Sequence, residues 1–209
     1  MAVRSLRVPS PPEAESDTRD RVLLEAARLF RHRGYAATTL REIATATGIK
    51  AGSIYYHFAS KEVILGEVLD KGMQVVFDAV RERVDSLPAE ASWRERIRAC
   101  IEGHLWGMLQ YGDFTSANIR MYSQLPTSAK NRNRALRRAY ADYWERLFQG
   151  ALDAGELRQD CSTAVARLFV VGALNWTVEW HNPQSGPFLD FVRQITAMVF
   201  DGIMEPKGR

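Results

Sequence analysis

The stretch from Thr38 to Lys61, TTLREIATATGIKAGSIYYHFASK, constrains the fold more than any other part of this 209-residue chain. Thr39 can cap an early amide of a helix, and Glu42, three residues on, completes a capping box. Leu40, Ile43 and Ala44 then recur at helical spacing, so that helix has one apolar face. Gly48 supplies the positive-φ residue of a tight stop, and Ala44, four residues earlier, leaves room for a crossing helix. Two short helices joined in this way form a helix-turn-helix. In the second of them the spacing directs Ala51, Ile54 and Phe58 inward and leaves Gly52, Ser53, Tyr55 and Tyr56 on the outer face and its flanks.

Nothing in an isolated domain would cover two adjacent outward tyrosines, so this face calls for a partner. Gly52 lets backbone approach a surface closely, and Ser53 can bond a base edge or a phosphate. The tyrosine hydroxyls, His57 and Lys61 suit phosphate oxygens. The run Gly52-Ser53-Ile54-Tyr55-Tyr56-His57-Phe58, followed by Ser60-Lys61-Glu62, resembles the signature of the TetR family of bacterial one-component transcriptional regulators. That resemblance covers roughly Thr18 to Gly72. It implies an all-α homodimer with an N-terminal three-helix DNA-binding domain and a larger C-terminal domain that binds an effector and dimerises. It further implies a phosphate contact at Thr38, a major-groove position for Gly52, Ser53 and Tyr55, and phosphate contacts for Tyr56, His57 and Lys61. Many members carry lysine just before the glycine; here Ala51 holds that place and Lys50 sits one earlier. The candidate DNA-binding set is therefore Thr38, Thr39, Lys50, Gly52, Ser53, Tyr55, Tyr56, His57 and Lys61.

Charge is distributed in keeping with double-stranded DNA as partner. Residues 1–61 hold ten Lys and Arg against six Asp and Glu, while residues 62–209 hold 18 against 19. Residues 1–16, with Pro9, Pro11 and Pro12, read as a disordered arm whose Arg4 and Arg7 could follow a minor groove. The expected domains are this arm, a helix-turn-helix domain over 17–62, an effector-binding and dimerisation domain over 63–205, and a tail over 206–209. Cys100 and Cys161 lie far apart with no CxxC pair, so a reduced chain without a metal site is expected. No apolar run reaches membrane-spanning length, which predicts a cytoplasmic protein with no membrane partner.

Beyond the motif, helices are predicted over Thr18–Arg33, from the Ser60 cap to about Ser86, from the Ser92-Glu95 capping box to about Gln110, over Thr127–Ala154, from the Ser162 cap through Trp180, and from Phe188 to Ile203, with a mixed segment from Phe114 to Gln124. The stretch AVARLFVVGALNWTVEW is apolar almost all round from Leu168 to Leu174, so it wants a cover besides its own core. A second copy is the natural cover, with Leu168, Val171, Leu174, Val178, Ile195 and Val199 as the expected dimer interface. His104, Trp106, Asn118, Arg120, Met121, Tyr143, Asn175 and Trp176 are the expected effector contacts, polar groups and aromatics set amid apolar sequence. The segment Ala173-Leu174-Asn175-Trp176-Thr177 is similar to C-terminal segments of TetR regulators of fatty-acid and acyl-CoA metabolism, which makes a hydrophobic carboxylate or CoA thioester the leading effector class, with an aromatic or drug-like molecule as the alternative. The basic run Lys130, Arg132, Arg134, Arg137, Arg138 reads as a solvated face, with an anion site as the alternative.

An enzyme is not expected, and no cofactor is implied. His32, His57, His104 and His181 are scattered without an H-x-x-x-H or E-x-x-H arrangement, and there is no GxGxxG or P-loop. A DNA-binding repressor released from a pseudo-palindromic operator by a small effector is the leading expectation, and an all-α interaction module without DNA binding is the alternative.

Overall fold

Most local signals become helices where the spacing predicts them, while the mixed segment from Phe114 to Gln124 folds as a helix over Gly112–Met121 followed by a 3₁₀ turn over Tyr122–Gln124. The computed structural model describes residues 18–124 and 127–203; the arm with Arg4 and Arg7, Pro126 and the tail over 206–209 lie outside the described residues. Helix α1 (Thr18–Arg33) turns Val22, Ala26 and Phe30 inward and ends at Gly34, φ 83°. Helix α2 (Leu40–Thr47) opens on the capping box, with the Glu42 amide donating to Thr39 Oγ1 at 3.2 Å and the Thr39 amide donating to Glu42 Oε2 at 2.8 Å. Gly48, φ 77°, closes it. Next comes a 3₁₀ turn over Ala51–Ser53, then the single-turn α3 (Ile54–His57). Ala51 was expected to face inward but is exposed, because it starts the 3₁₀ turn beyond the edge of the core, and Ile54 and Phe58 alone anchor the segment.

A helix as short as α3 has no stability of its own. Burial of Ile54 and Phe58 against Phe30 and Ile43, about 1.5–3 kcal/mol for each large apolar side chain, holds it. Ser60 caps α4 (Lys61–Asp85) by accepting the Val63 amide at 3.3 Å. This helix serves two cores. Ile64, Leu65, Val68 and Leu69 complete the N-terminal core, whereas Val76, Phe77, Val80 and Val84 belong to the C-terminal one.

The C-terminal core is built from α4 with α5 (Trp93–Gln110), α7 (Thr127–Asp153), α8 (Thr163–Trp180) and α9 (Phe188–Ile203). Helices α4 and α5 cross very closely: a Cβ on Gly103 would lie 2.6 Å from the Ala79 carbonyl, and one on Gly107 2.8 Å from Val76 Cα. Helix α6 (Gly112–Met121) sends Phe114, Ala117 and Met121 into the N-terminal core, so it joins the two halves as α4 does. Helix α8 divides its apolar surface. Val170, Leu174, Thr177 and Val178 face the core, and Val165, Leu168, Phe169, Trp176 and Trp180 face out. Among the described residues no helix is long and apolar enough to cross a membrane.

Candidate nucleic-acid interface and ligand cavity

The outer face of the helix-turn-helix carries Thr39, Lys50, Gly52 and Ser53, all exposed, with Tyr55 62% and Tyr56 89% exposed. The His57 ring, half-buried, stands edge-on to Tyr56 with centroids 5.3 Å apart. Two expected contacts are turned inward instead. Thr38 is fully buried and donates its hydroxyl to the Gly34 carbonyl at 2.9 Å, so it ties the end of α1 to the start of α2 and has no surface for a phosphate. Lys61 Nζ donates to the carbonyls of Tyr35 at 2.9 Å and Thr38 at 2.7 Å and lies 4.3 Å over the Tyr35 ring, so the ammonium clamps that same connection. The Tyr35 hydroxyl donates to Glu62 at 3.1 Å, and burial together with that carboxylate pushes the phenol up to about 12.

Arginines of α1 brace the exposed turn. Arg19 donates to the His57 carbonyl at 2.9 Å, pairs with Glu67 and lies 4.4 Å over the Phe58 ring. Arg21 donates to the Thr47 carbonyl at 2.6 Å, one residue before the turn glycine. Helix periodicity alone places Arg19 outside. Its partners are 38 and 48 residues away, and no local signal names them.

A cavity of about 180 Å³ opens in the C-terminal half, between α4, α5, α6, α7 and α8. Three of the expected effector contacts, His104, Asn118 and Asn175, line it. The other five do not. Trp106 packs edge-on to Tyr111, 6.1 Å between centroids; Arg120 is exposed and ion-paired with Glu179; Met121 is in the N-terminal core. Tyr143 packs on Phe77, and Trp176, 57% exposed, sits on the outward stripe. The helical turn of about 100° per residue separates Trp176 from its neighbour Asn175.

Within the cavity His104 Nδ1 meets the Tyr140 hydroxyl at 2.5 Å, while His104 Nε2, on the side of Asn175, and Trp144 Nε1, beside Tyr140, make no well-formed hydrogen bond among the described residues. Burial drives the His104 imidazole down to about 3, with Asn175 opposing the shift, so the ring is neutral. Arg137 and Arg167 bring positive charge to the same walls; Arg167 is paired with Glu145 at 2.9 Å. Arg137 was legible only as part of the basic run. It falls in phase with Asn133, Tyr140, Trp144 and Phe148, the buried side of α7, and a cation in phase with core positions is the signal that marks it. Of the same run, Arg134 and Arg138 are exposed, and the side chain of Arg132 lies outside the described residues.

The expected dimer residues also sort by phase. Leu168 is exposed; Val171 lines the cavity; Leu174, Val178 and Val199 are buried in the chain's own core; and Ile195 packs half-buried against it. Of that set Leu168 alone lies on the outward face, which it shares with Val165, Phe169, Trp176 and Trp180 of α8 and Leu189 and Met198 of α9. Sequence reasoning missed this because a helix apolar all round shows no phase.

A braced helix-turn-helix with a bare outer face, carried on a helix that also enters a second, cavity-bearing core, defines the class: a helix-turn-helix regulator of the all-α type. Residues 22–68 match the bacterial regulatory proteins, tetR family, and residues 90–203 match the tetracyclin repressor-like C-terminal domain. The chain belongs to the TetR family. It is 34% identical over 192 residues to the HTH-type transcriptional repressor KstR2 of Mycobacterium tuberculosis, spanning 87% of this chain and 90% of that one. The solved structure of the ketosteroid transcriptional regulator KstR2 of Mycobacterium tuberculosis aligns at a TM-score of 0.80 and 26% identity, over 91% of this chain and 97% of that one. The structure of AibR in complex with isovaleryl coenzyme A and operator DNA shares the fold, with a TM-score of 0.78 at 24% identity, over 88% of this chain and 98% of that one.

Proposed function

We propose that this chain is a homodimeric transcriptional repressor that leaves a pseudo-palindromic operator when a small hydrophobic effector, a carboxylate or acyl-CoA thioester, enters the C-terminal cavity. The observation that carries the reading is the single helix α4, which begins at the helix-turn-helix and lines the cavity with Met73 and Val76. Gly52, Ser53 and Tyr55 would meet base edges and Tyr56 a phosphate, with Lys50, Thr39 and His57 at the flanks. The outward apolar stripe of α8 and α9 supports pairing with a second copy, since so large an apolar face on a water-soluble chain marks an interaction surface. Two recognition segments in one dimer then read two half-sites at a separation set by the pairing. Effector binding changes that separation through α4, and operator affinity falls by the coupling free energy, commonly about 1–3 kcal/mol.

The test is a binding-site selection from random duplexes with the full-length protein. We expect an inverted repeat and binding that weakens steeply with salt. Enrichment of no sequence, or of a single unrepeated half-site bound by a monomer, would refute the reading.

A further inference from the structure

Among the described residues, Arg137 is the member of the α7 basic run that lines the cavity, and it is also wired to the helix that carries the DNA-binding unit. Arg137 Nη2 donates to Asn118 Oδ1 at 2.6 Å and its Nε donates to Asn133 Oδ1 at 2.5 Å, while the guanidinium lies 3.7 Å over the Tyr122 ring. Both asparagines pass the contact on to α4. Asn118 Nδ2 donates to the Leu69 carbonyl at 2.9 Å, and Asn133, itself buried, donates its Nδ2 to Asp70. Leu69 is the last α4 residue of the N-terminal core, and a Cβ on Gly72 would lie 2.6 Å from Asn118 Nδ2, so α4 is pressed directly against this junction.

Among the described residues no carboxylate comes within ion-pairing distance of Arg137; the charge of Asp70, which accepts from Asn133, reaches it through space at longer range. Desolvation pulls the guanidinium's pKa down. A partly buried cation without a direct counter-ion, on the wall of a cavity, is matched best by an anion inside that cavity. The neutral His104 and the Trp144 N–H at the same walls add hydrogen-bonding groups without adding negative charge.

We propose that Arg137 binds the anionic end of the effector, and that the same guanidinium, through Asn118 and Asn133, transmits occupancy of the cavity to α4 at Leu69 and Asp70. An incoming anion competes for the N–H groups that the two asparagine carbonyls now hold. As the guanidinium turns to the anion, the side chains that fix the middle of α4 lose their anchor. The inference rests on the cavity being the effector site, as proposed above.

The experiment uses full-length protein, an operator duplex recovered by selection, and three probes: hexanoate, its uncharged analogue hexanamide, and hexanoyl-CoA, whose charge lies in its phosphates. Tryptophan fluorescence reads binding, and anisotropy of labelled operator reads release. Wild-type protein should favour an anionic probe over hexanamide by about 10-fold or more, the scale of a charge-assisted pair. A preference for hexanoate marks a carboxylate as the anion; a preference confined to hexanoyl-CoA marks a phosphate. Arg137→Gln should bind hexanamide as before and lose the preference. Arg137→Lys should regain part of it while releasing operator poorly, because an ammonium cannot hold both asparagine carbonyls in a planar fork. Asn133→Ala should keep the preference while operator release per bound probe falls.

Thermal unfolding confirms that each variant is folded, and the Lys variant carries the comparison if Arg137→Gln is not. If all probes bind wild type and Arg137→Gln alike and still release operator, the role of Arg137 is overturned and the cavity reading stands. If Asn133→Ala releases operator as wild type does, the transmission is overturned. If no probe binds, both readings fall.

Discussion

Lowering the pH should cost this protein stability through one imidazole, and His104→Gln isolates the effect. The ring is buried between Tyr140 and Trp144, and burial holds its pKa at about 3 in place of 6.5. The folded pKa of this base lies below the unfolded one, so between the two values the unfolded chain binds more protons. Stability is therefore lost as pH falls through about 6.5 and goes on falling towards about 3. At 1.36 kcal/mol per pH unit, the loss attributable to His104 between pH 7 and pH 5 is about 2 kcal/mol. The carboxylates of Glu42, Glu62, Glu179 and Asp160 are held below their ordinary range by hydrogen bonds and neighbouring cations, so their own losses come at lower pH. The assay is denaturant unfolding of wild type and His104→Gln at both pH values and one protein concentration, because association with a second copy would shift stability by mass action. The variant can be less stable at both values; only the change with pH is compared. Wild type should lose about 2 kcal/mol more than the variant over this range. Equal losses, or a His104 resonance titrating near its ordinary value, would refute the burial argument.

Other substitutions probe other links. Tyr56→Phe removes a hydroxyl from a nearly bare side chain, so stability should hold while affinity drops about 2- to 10-fold for all sequences alike, one hydrogen bond's worth; a change confined to one base step in the selected site would contradict a phosphate contact. Phe169→Glu, on the outward stripe, should yield folded monomer by sedimentation, and a dimer that survives it would move the interface elsewhere. Leu174→Asp, by contrast, places a carboxylate in the chain's own core and should unfold it by circular dichroism. Gly103→Ala should destabilise by about 1–3 kcal/mol because its Cβ meets Ala79 and Val80 backbone, whereas Gly66→Ala, with nothing within 4 Å of its Cβ, should be neutral or stabilising by up to about 1 kcal/mol; paired thermal melts check both.

Signals that act within one turn of helix were readable in the chain. The Thr39-Glu42 and Ser92-Glu95 capping boxes and the left-handed Gly48 stand where the spacing puts them, because each is satisfied by atoms three or four residues away. Exposure of Tyr55 and Tyr56 was legible for the same reason, as the opposite face of a short helix anchored by Ile54 and Phe58. Thr38 and Lys61 were not. Both have side chains suited to phosphate, but their hydrogen bonds run to carbonyls of the α1–α2 connection, and only the packed loop brings those carbonyls within reach. In the C-terminal half, polar residues in apolar surroundings marked His104, Asn118 and Asn175, which do line the cavity; the same criterion admitted Arg120, which faces elsewhere.

The chain by itself determined that it is all-α and where most of its helices begin and end, since capping, glycine stops and periodicity are local properties, and its Gly52–Phe58 run carried the resemblance to the TetR family that the match of residues 22–68 bears out. Only the tertiary structure decided which side of α8 is turned out, that α6 belongs to the N-terminal core, and that Arg137 leaves its basic neighbours to line a cavity beside α4. The physical reason is one of range. A helix apolar all round has no preferred phase until neighbours cover one side, and a cation's environment is set by atoms tens of residues away in sequence.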